Sequence, residues 1–214
     1  MAITPEDRSK LYERAASSLD FLSDFRTALT LETEGVRNLR GLDYGAGTNS
    51  PWSLFDYLHP DQSRLVAYDP HMPEGAYSEA DSQFEMPGWV GKPPEGRFDL
   101  VVCHFSLHHI DMPLEEIILS LRKYGGVLGI AEYDYSKSSK AEFAETFVNQ
   151  QEQKELEELF SGDMAAAYAF HRRLSRQDFR KALEQHGYKV AQEGQGKGLS
   201  RHKFFMVGRS TQGN

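Results

Sequence analysis

Gly41-Leu42-Asp43-Tyr44-Gly45-Ala46-Gly47-Thr48-Asn49-Ser50-Pro51 decides how the rest of the chain is read. An apolar strand ends in Asp43, two spaced glycines follow, and a helix is expected to begin at Pro51. Glycines permit a tight turn with positive φ and let a ligand approach the backbone closely. A helix that follows presents N–H groups with no intrahelical partner. Taken alone, Gly-Ala-Gly is a weak signal, because small-residue turns serve many proteins. Its place in the chain sharpens it. The next strand candidate, Leu65-Val66-Ala67-Tyr68-Asp69, also ends in a carboxylate. An acid there can accept hydrogen bonds from both ribose hydroxyls of a nucleoside cofactor. The bland alternative for Asp69 is a turn-forming residue before Pro70.

Outward from this turn, strands and helices alternate. Apolar runs predict strands at Leu39–Tyr44, Arg64–Asp69, Phe98–His104, Val127–Glu132, Tyr188–Gln192 and Lys203–Val207. Helices are expected at Pro51–Leu58, Pro113–Tyr124 and Ser175–His186. Ser175-Arg176-Gln177-Asp178 is a capping box, and Gly187 stands where a C-terminal cap glycine belongs. The pattern implies a mostly parallel sheet covered on both faces. One further strand near Gln83–Val90 is expected in the proline-rich stretch 70–97.

Two segments flank this alternation. Residues 1–35 are expected to be helical, with Thr4 as N-cap, Pro5 in the first turn and Asp7 in the capping-box position. Leu11, Ala15, Leu22, Phe25 and Leu29 fall on one face, so the helix should pack on the core; a flap over a ligand through Tyr12, Phe21 or Phe25 is the alternative. Residues 134–174 separate the fifth strand from the last helix, and Phe143, Phe147, Leu156, Leu159 and Phe160 predict helical pieces of a small cap. The expected organisation is one domain over 1–214.

Composition narrows the function. The net charge of -8 argues against a broad phosphate-contacting face for nucleic acid. Hydrophobic residues at 39% suffice for a substantial core. A single cysteine, Cys103, excludes an internal disulfide framework. No run is long enough to span a bilayer, and the N-terminus lacks the layout of a secretory signal, so a cytoplasmic location is expected. His104 and His108 are four apart, but His104 ends a strand and no carboxylate completes a ligand set by spacing, so no metal is expected.

With these residues in view, the chain resembles the class I S-adenosylmethionine-dependent methyltransferases from about Val36 to Val207. Asp43-x-Gly45-x-Gly47 is similar to that family's acidic glycine motif, and Asp69 matches its ribose-binding acid. Phe98-Asp99-Leu100-Val101-Val102-Cys103-His104 with Leu107-His108-His109 resembles its fourth strand and following loop. Tyr124-Gly125-Gly126-Val127-Leu128 resembles its turn into the fifth strand. The stretch Leu174–Tyr188 is similar to its closing helix and sixth strand. Asn49 stands in place of the usual third glycine. An NAD-binding reading is the rival, but Ser50 replaces the third glycine of G-x-G-x-x-G.

The resemblance implies a Rossmann-like α/β fold with a seven-stranded, mostly parallel sheet, its final antiparallel strand supplied by Lys203–Val207. It implies S-adenosylmethionine as cofactor. The turn at Gly45 and Gly47 would hold the methionine end and Asp69 the ribose, while Asp43 would orient the glycine loop or meet the ammonium through water. His71 or Met72 would lie against adenine, with Pro70 also in the cofactor site, and Cys103-His104-Phe105 would border the sulfonium. A general base is needed only where the acceptor must lose a proton. His104, His108, His109, Glu132, Tyr133 and Asp134 are candidates at the sheet's carboxyl edge, and the adjacent His108 and His109 are expected to point apart.

The acceptor is expected to come from the cap side, where Tyr133, Tyr135, Phe143, Phe147, Tyr168, Phe170 and His171 are candidate pocket residues. Phe143 and Phe147 at helical spacing read more plainly as one helix face filling the core. Arg172 and Arg173 are candidates for an acidic substrate or for plain surface. Methyl transfer to a small molecule is the expected activity. The alternative within the superfamily is cyclisation of the cofactor itself to azetidine-2-carboxylate with release of methylthioadenosine. A cofactor-binding protein without chemistry is the third reading. Nothing in the sequence marks an oligomer surface.

Overall fold

The computed structural model describes residues 5–46, 64–69, 93–110, 112–147 and 156–211. They form α1 (Pro5–Thr33), β1 (Arg40–Tyr44), β2 (Arg64–Tyr68), β3 (Leu100–His104), α2 (Leu114–Arg122), β4 (Val127–Tyr133), α3 (Lys140–Thr146), α4 (Met164–His171), α5 (Arg176–Gln185), β5 (Tyr188–Gln195) and β6 (Lys203–Ser210). The strands make one sheet in the order β2-β1-β3-β4-β6-β5. β6 runs antiparallel to both of its neighbours, and the other pairings are parallel. The described residues thus supply six strands. The strand predicted at 83–90, which would make a seventh, the helix predicted at 51–58 and the polar run 149–154 lie outside them, as do Thr4 and the side chain of Asp7.

Strands buried on both faces explain the continuous apolar runs at β3 and β4, because a side chain pointing either way meets a helix. On one face Leu42, Val101, Cys103, Leu128, Ile130 and Met206 pack with Ile117, Ile118 and Leu121 of α2 and Phe179 and Leu183 of α5. On the other, Leu100, Val102, Ala131, Phe205 and Val207 receive Phe21, Phe25, Ala28 and Leu29 of α1. Phe25 and Leu29 have no exposed surface, and burial of each such side chain contributes roughly 1.5–3 kcal/mol. The core role predicted for α1 holds at these positions. Gly129 lets the helix come this close: a Cβ there would stand 2.4 Å from Leu29 Cδ2.

Local signals at α5 act as expected. The Ser175 side chain accepts from Asp178 N–H and Asp178 accepts in return from Ser175 N–H, closing the capping box. Gly187 follows the helix with φ +79°. A second capping box, Ser139 with Glu142, starts α3. Strand ends moved by a few residues: β4 takes in Tyr133, and β5 and β6 run on to Gln195 and Ser210. Pairing with β6 carries β5 past its apolar residues, through a bulge between Val190 and Gln192.

Candidate active site

The turn after β1 is drawn onto the end of β2. Gly45 N–H and Ala46 N–H both donate to the Tyr68 carbonyl, at 2.7 and 3.2 Å. Asp69, the residue that follows Tyr68, is therefore set beside the glycine turn. Gly45 has φ +79°, a conformation that side chains rarely adopt. A Cβ on it would lie 2.4 Å from Ser106 Cβ and 2.6 Å from Ser106 Oγ. Ser106 Oγ in turn donates to the Tyr44 carbonyl at 3.1 Å. The glycine is required both by its own torsion and by the loop after β3 that packs on it. Asp43 is buried beneath the turn, with 1% of its surface exposed.

That loop is the second part of the site. Phe105 adopts φ +50°, uncommon for a bulky residue, and its N–H donates to the Ala131 carbonyl at 2.8 Å. A 3-10 turn over Leu107–His109 follows. Here the loop meets the end of β4. Leu107 N–H donates to Glu132 Oε1 at 2.7 Å, and His108 Nδ1 lies 2.7 Å from Glu132 Oε2. Glu132 has no exposed surface. Burial alone would raise its carboxyl, but the His108 charge and hydrogen bond and the Leu107 N–H together hold it below the ordinary 4.5. An ionised Glu132 has no proton to give, so His108 Nδ1–H is the donor. In the neutral imidazole that leaves Nε2 as the basic nitrogen.

The sign of the resulting pH dependence follows. A carboxyl whose folded pKa is depressed contributes stability that is complete above about 4.5 and is lost as pH falls through the folded value. Denaturant midpoints should therefore hold steady above that pH and decline below it. The Glu132→Gln protein should show a shallower decline, and an identical acid profile would remove Glu132 from the account.

The other predicted residues sort as follows. Cys103 is wholly buried, and burial, with the negative charges of Asp43 and Glu132, pushes its thiol well up. Its side chain is an inert core group, so only its backbone faces the expected role. Burial pushes His104 down to about 4, which keeps its imidazole neutral. His108 and His109 do not point apart: their ring centroids are 4.0 Å from each other, with 41° between the planes. Asp134 is spent on the backbone, accepting from Ser136 and from Arg176 N–H at the start of α5. Gly47, Pro70, His71 and Met72 lie outside the described residues.

The predicted cap pocket divides in two. Tyr135, Phe143, Phe147, Ala167 and Tyr168 form a separate small core, so Phe143 and Phe147 fill space. Residues 156–160 are helical, with Leu156 and Phe160 against this core and Leu159 exposed. Tyr133, Phe170 and His171 also reach the loop after β3, with ring centroids 5.6, 6.5 and 5.1 Å from His108, while His171 packs on Phe147 and Phe143 and Tyr133 borders the cap core. Arg172 and Arg173 are exposed, as the surface reading has it, but each guanidinium reaches back to the backbone. Arg172 donates to the Ser136 carbonyl, and Arg173 donates to the His108 carbonyl while its guanidinium covers Phe170. Ser106, Leu107 and Arg173 carry no sequence signal for these roles, because each acts through a partner far along the chain.

A family profile described as a methyltransferase domain matches residues 8–193. A comparison with curated protein sequences found no match. Among solved structures, the chain is similar to a SAM-dependent methyltransferase from Aquifex aeolicus, with 13% identity, TM-score 0.57 and coverage of 86% of this chain and 88% of that one. It is similar to magnesium protoporphyrin IX methyltransferase from Synechocystis PCC 6803 with bound SAM, at 16% identity, TM-score 0.56 and coverage of 91% and 80%. N-methyltransferase NodS from Bradyrhizobium japonicum WM9 is similar at 13% identity, TM-score 0.57 and coverage of 92% and 98%. The fold is thus the Rossmann-like class I methyltransferase fold. The protein belongs to the methyltransferase family whose profile spans most of its length.

S-adenosylmethionine is the cofactor of this family. The residues present fit it. Gly45 brings bare backbone to the carboxyl edge, Asp69 stands beside it, and Asp43 lies under the turn. Among the described residues no cluster of His, Cys, Asp and Glu is arranged to hold a metal ion. No described helix is long and apolar enough to cross a membrane.

Proposed function

We propose that the protein transfers a methyl group from S-adenosylmethionine to a small-molecule acceptor, with His108 as general base and Glu132 as the residue that positions it. The observation that carries this reading is the buried Glu132, which joins the β4 end to His108 and Leu107 N–H at 2.7 Å each. A fully buried carboxylate is costly unless paired, and this one is paired with a group that can move a proton. When bound, S-adenosylmethionine supplies a methyl group made electrophilic by the sulfonium. Asp69 would hold the ribose and Gly45 would admit the methionine end. Glu132 fixes the His108 tautomer and supports the imidazolium that forms when His108 takes the acceptor's proton, as a triad carboxylate does for its histidine. Arg173 ties the cap to that loop through the His108 carbonyl. The net charge of -8 supports a small molecule over nucleic acid as acceptor.

The test is mass spectrometry of products with S-adenosylmethionine, alone and with a metabolite mixture. S-adenosylhomocysteine should form only when an acceptor is supplied. Methylthioadenosine accumulating above the protein-free rate would overturn the reading. In parallel, Asp69→Ala should weaken S-adenosylhomocysteine binding by about tenfold or more in calorimetry, since two hydrogen bonds to a charged acceptor are lost. Unchanged affinity would remove Asp69 from the ribose site.

A further inference from the structure

Beside the Glu132–His108 pair, toward the α1 face of the sheet, a second set of groups meets at the carboxyl edge. His104 ends β3, Phe105 follows it, Tyr133 ends β4, and Lys203 pairs with Tyr133 at the start of β6. Phe105 stacks on Tyr133 with centroids 4.6 Å apart and 28° between planes. Tyr133 stacks on Tyr135 at 5.6 Å and 23°. Phe105 is held in this column by a left-handed torsion, and such strain persists only where the surroundings over-determine it. The His104 ring meets Phe105 edge-on at 4.5 Å. Its Nε2 is buried and has no hydrogen-bond partner. An unsatisfied buried nitrogen costs stability that a leucine of similar volume would not. The mechanism above makes no use of it.

We propose that His104, Phe105 and Tyr133 form the acceptor subsite, and that the acceptor is a planar aromatic molecule whose ring substituent hydrogen-bonds to His104. A flat ring laid on the face of Phe105 turned away from Tyr133 extends the stacked column, with Tyr133 backing Phe105 from the other side, and its hydroxyl satisfies the orphaned imidazole. Offset stacking on aromatic faces contributes beyond area burial, which an aliphatic ring of the same size does not obtain. The Lys203 ammonium, 5.3 Å from the Phe105 centroid and 6.0 Å from that of Tyr133, adds positive potential beside the platform and favours an electron-rich ring. This subsite is an acceptor site only if the methyl-transfer reading holds, but its ligand chemistry is testable without it.

The experiment uses the full chain labelled with 15N-histidine, titrated with phenol and separately with cyclohexanol, with and without saturating S-adenosylhomocysteine. Phenol should shift the His104 ring-nitrogen resonances saturably in the millimolar range, and cyclohexanol should bind roughly tenfold more weakly or not at all. His104→Leu should weaken phenol binding by roughly 3- to 10-fold while leaving the melting temperature equal or higher, since the orphaned nitrogen is gone. Tyr133→Leu should weaken it similarly. A merely structural His104 would instead lower stability and leave phenol binding intact. Equal binding of the two rings, no saturable shift at His104, or a His104 resonance moved only by S-adenosylhomocysteine would overturn the proposal. Phenol binding with no cofactor binding would instead overturn the methyl-transfer reading and leave the subsite standing.

Discussion

Replacing Glu132 with Gln is expected to lower kcat by about 10²- to 10⁴-fold, the range a positioned general base supplies. Cofactor affinity should stay within a few-fold of the parent protein. The substitution is nearly isosteric, and Gln Oε1 can still accept from Leu107 N–H. The change falls on the other oxygen. An amide N–H now faces His108 Nδ1, which must accept, so the proton moves to Nε2 and the base is lost. The pH profile should lose its limb on the acid side, which a merely structural role would not produce. Glu132→Ala removes the partner altogether and should cost about 3–5 kcal/mol of stability, the penalty for breaking a buried pair. Steady-state kinetics with the identified acceptor and denaturant melts check the two arms. A Glu132→Gln enzyme with full kcat and an unchanged profile would leave the pair a structural device only.

Gly45→Ala is expected to be the most damaging single-methyl change in the chain's cofactor site. Forcing an L side chain into positive φ costs about 1–2 kcal/mol. The new Cβ also overlaps Ser106 Cβ, at 2.4 Å, and neither atom is the end of a flexible chain. Together these should cost about 3 kcal/mol of stability. S-adenosylhomocysteine binding should weaken by more than tenfold, because the turn that Tyr68 O holds must shift. Ser106→Gly in the same background removes the overlap but not the torsional cost, so about half of the stability should return. Calorimetry and urea melts of both variants decide it. A Gly45→Ala protein that folds and binds like the parent would show that the turn has slack this geometry denies.

The glycine turn was legible because its requirement is local. A torsion that only glycine tolerates leaves a mark at one position, and the acid at the end of the next strand marks a second. The capping box Ser175–Asp178 and Gly187 were legible for the same reason: donor, acceptor and left-handed residue lie within a few positions of each other. The amphipathic face of α1 was readable down to Phe25 and Leu29, since periodicity reports which side is apolar. Whether Phe25 flaps over a ligand or fills a core was not, because that depends on Gly129 a hundred residues on.

The candidate histidines show the limit more clearly. His104, His108, His109, Glu132 and Tyr133 all qualified as candidates by lying at the sheet's carboxyl edge, at strand ends or in the loop just past one, and nothing in the spacing ranked them. Residue type reports what chemistry a side chain can do, and strand position reports which edge it reaches. Alternation, torsions and turns alone therefore determined the fold class, the cofactor edge and the candidate set. Tertiary structure alone decided which of these candidates touch one another, through contacts between distant segments. It joined Glu132 to His108 and left His104 neutral against Phe105 beside them. It also brought the exposed Arg173 onto the His108 carbonyl. A pairing across a parallel sheet depends on register between strands that the chain connects only through long crossovers, and that register leaves no local mark.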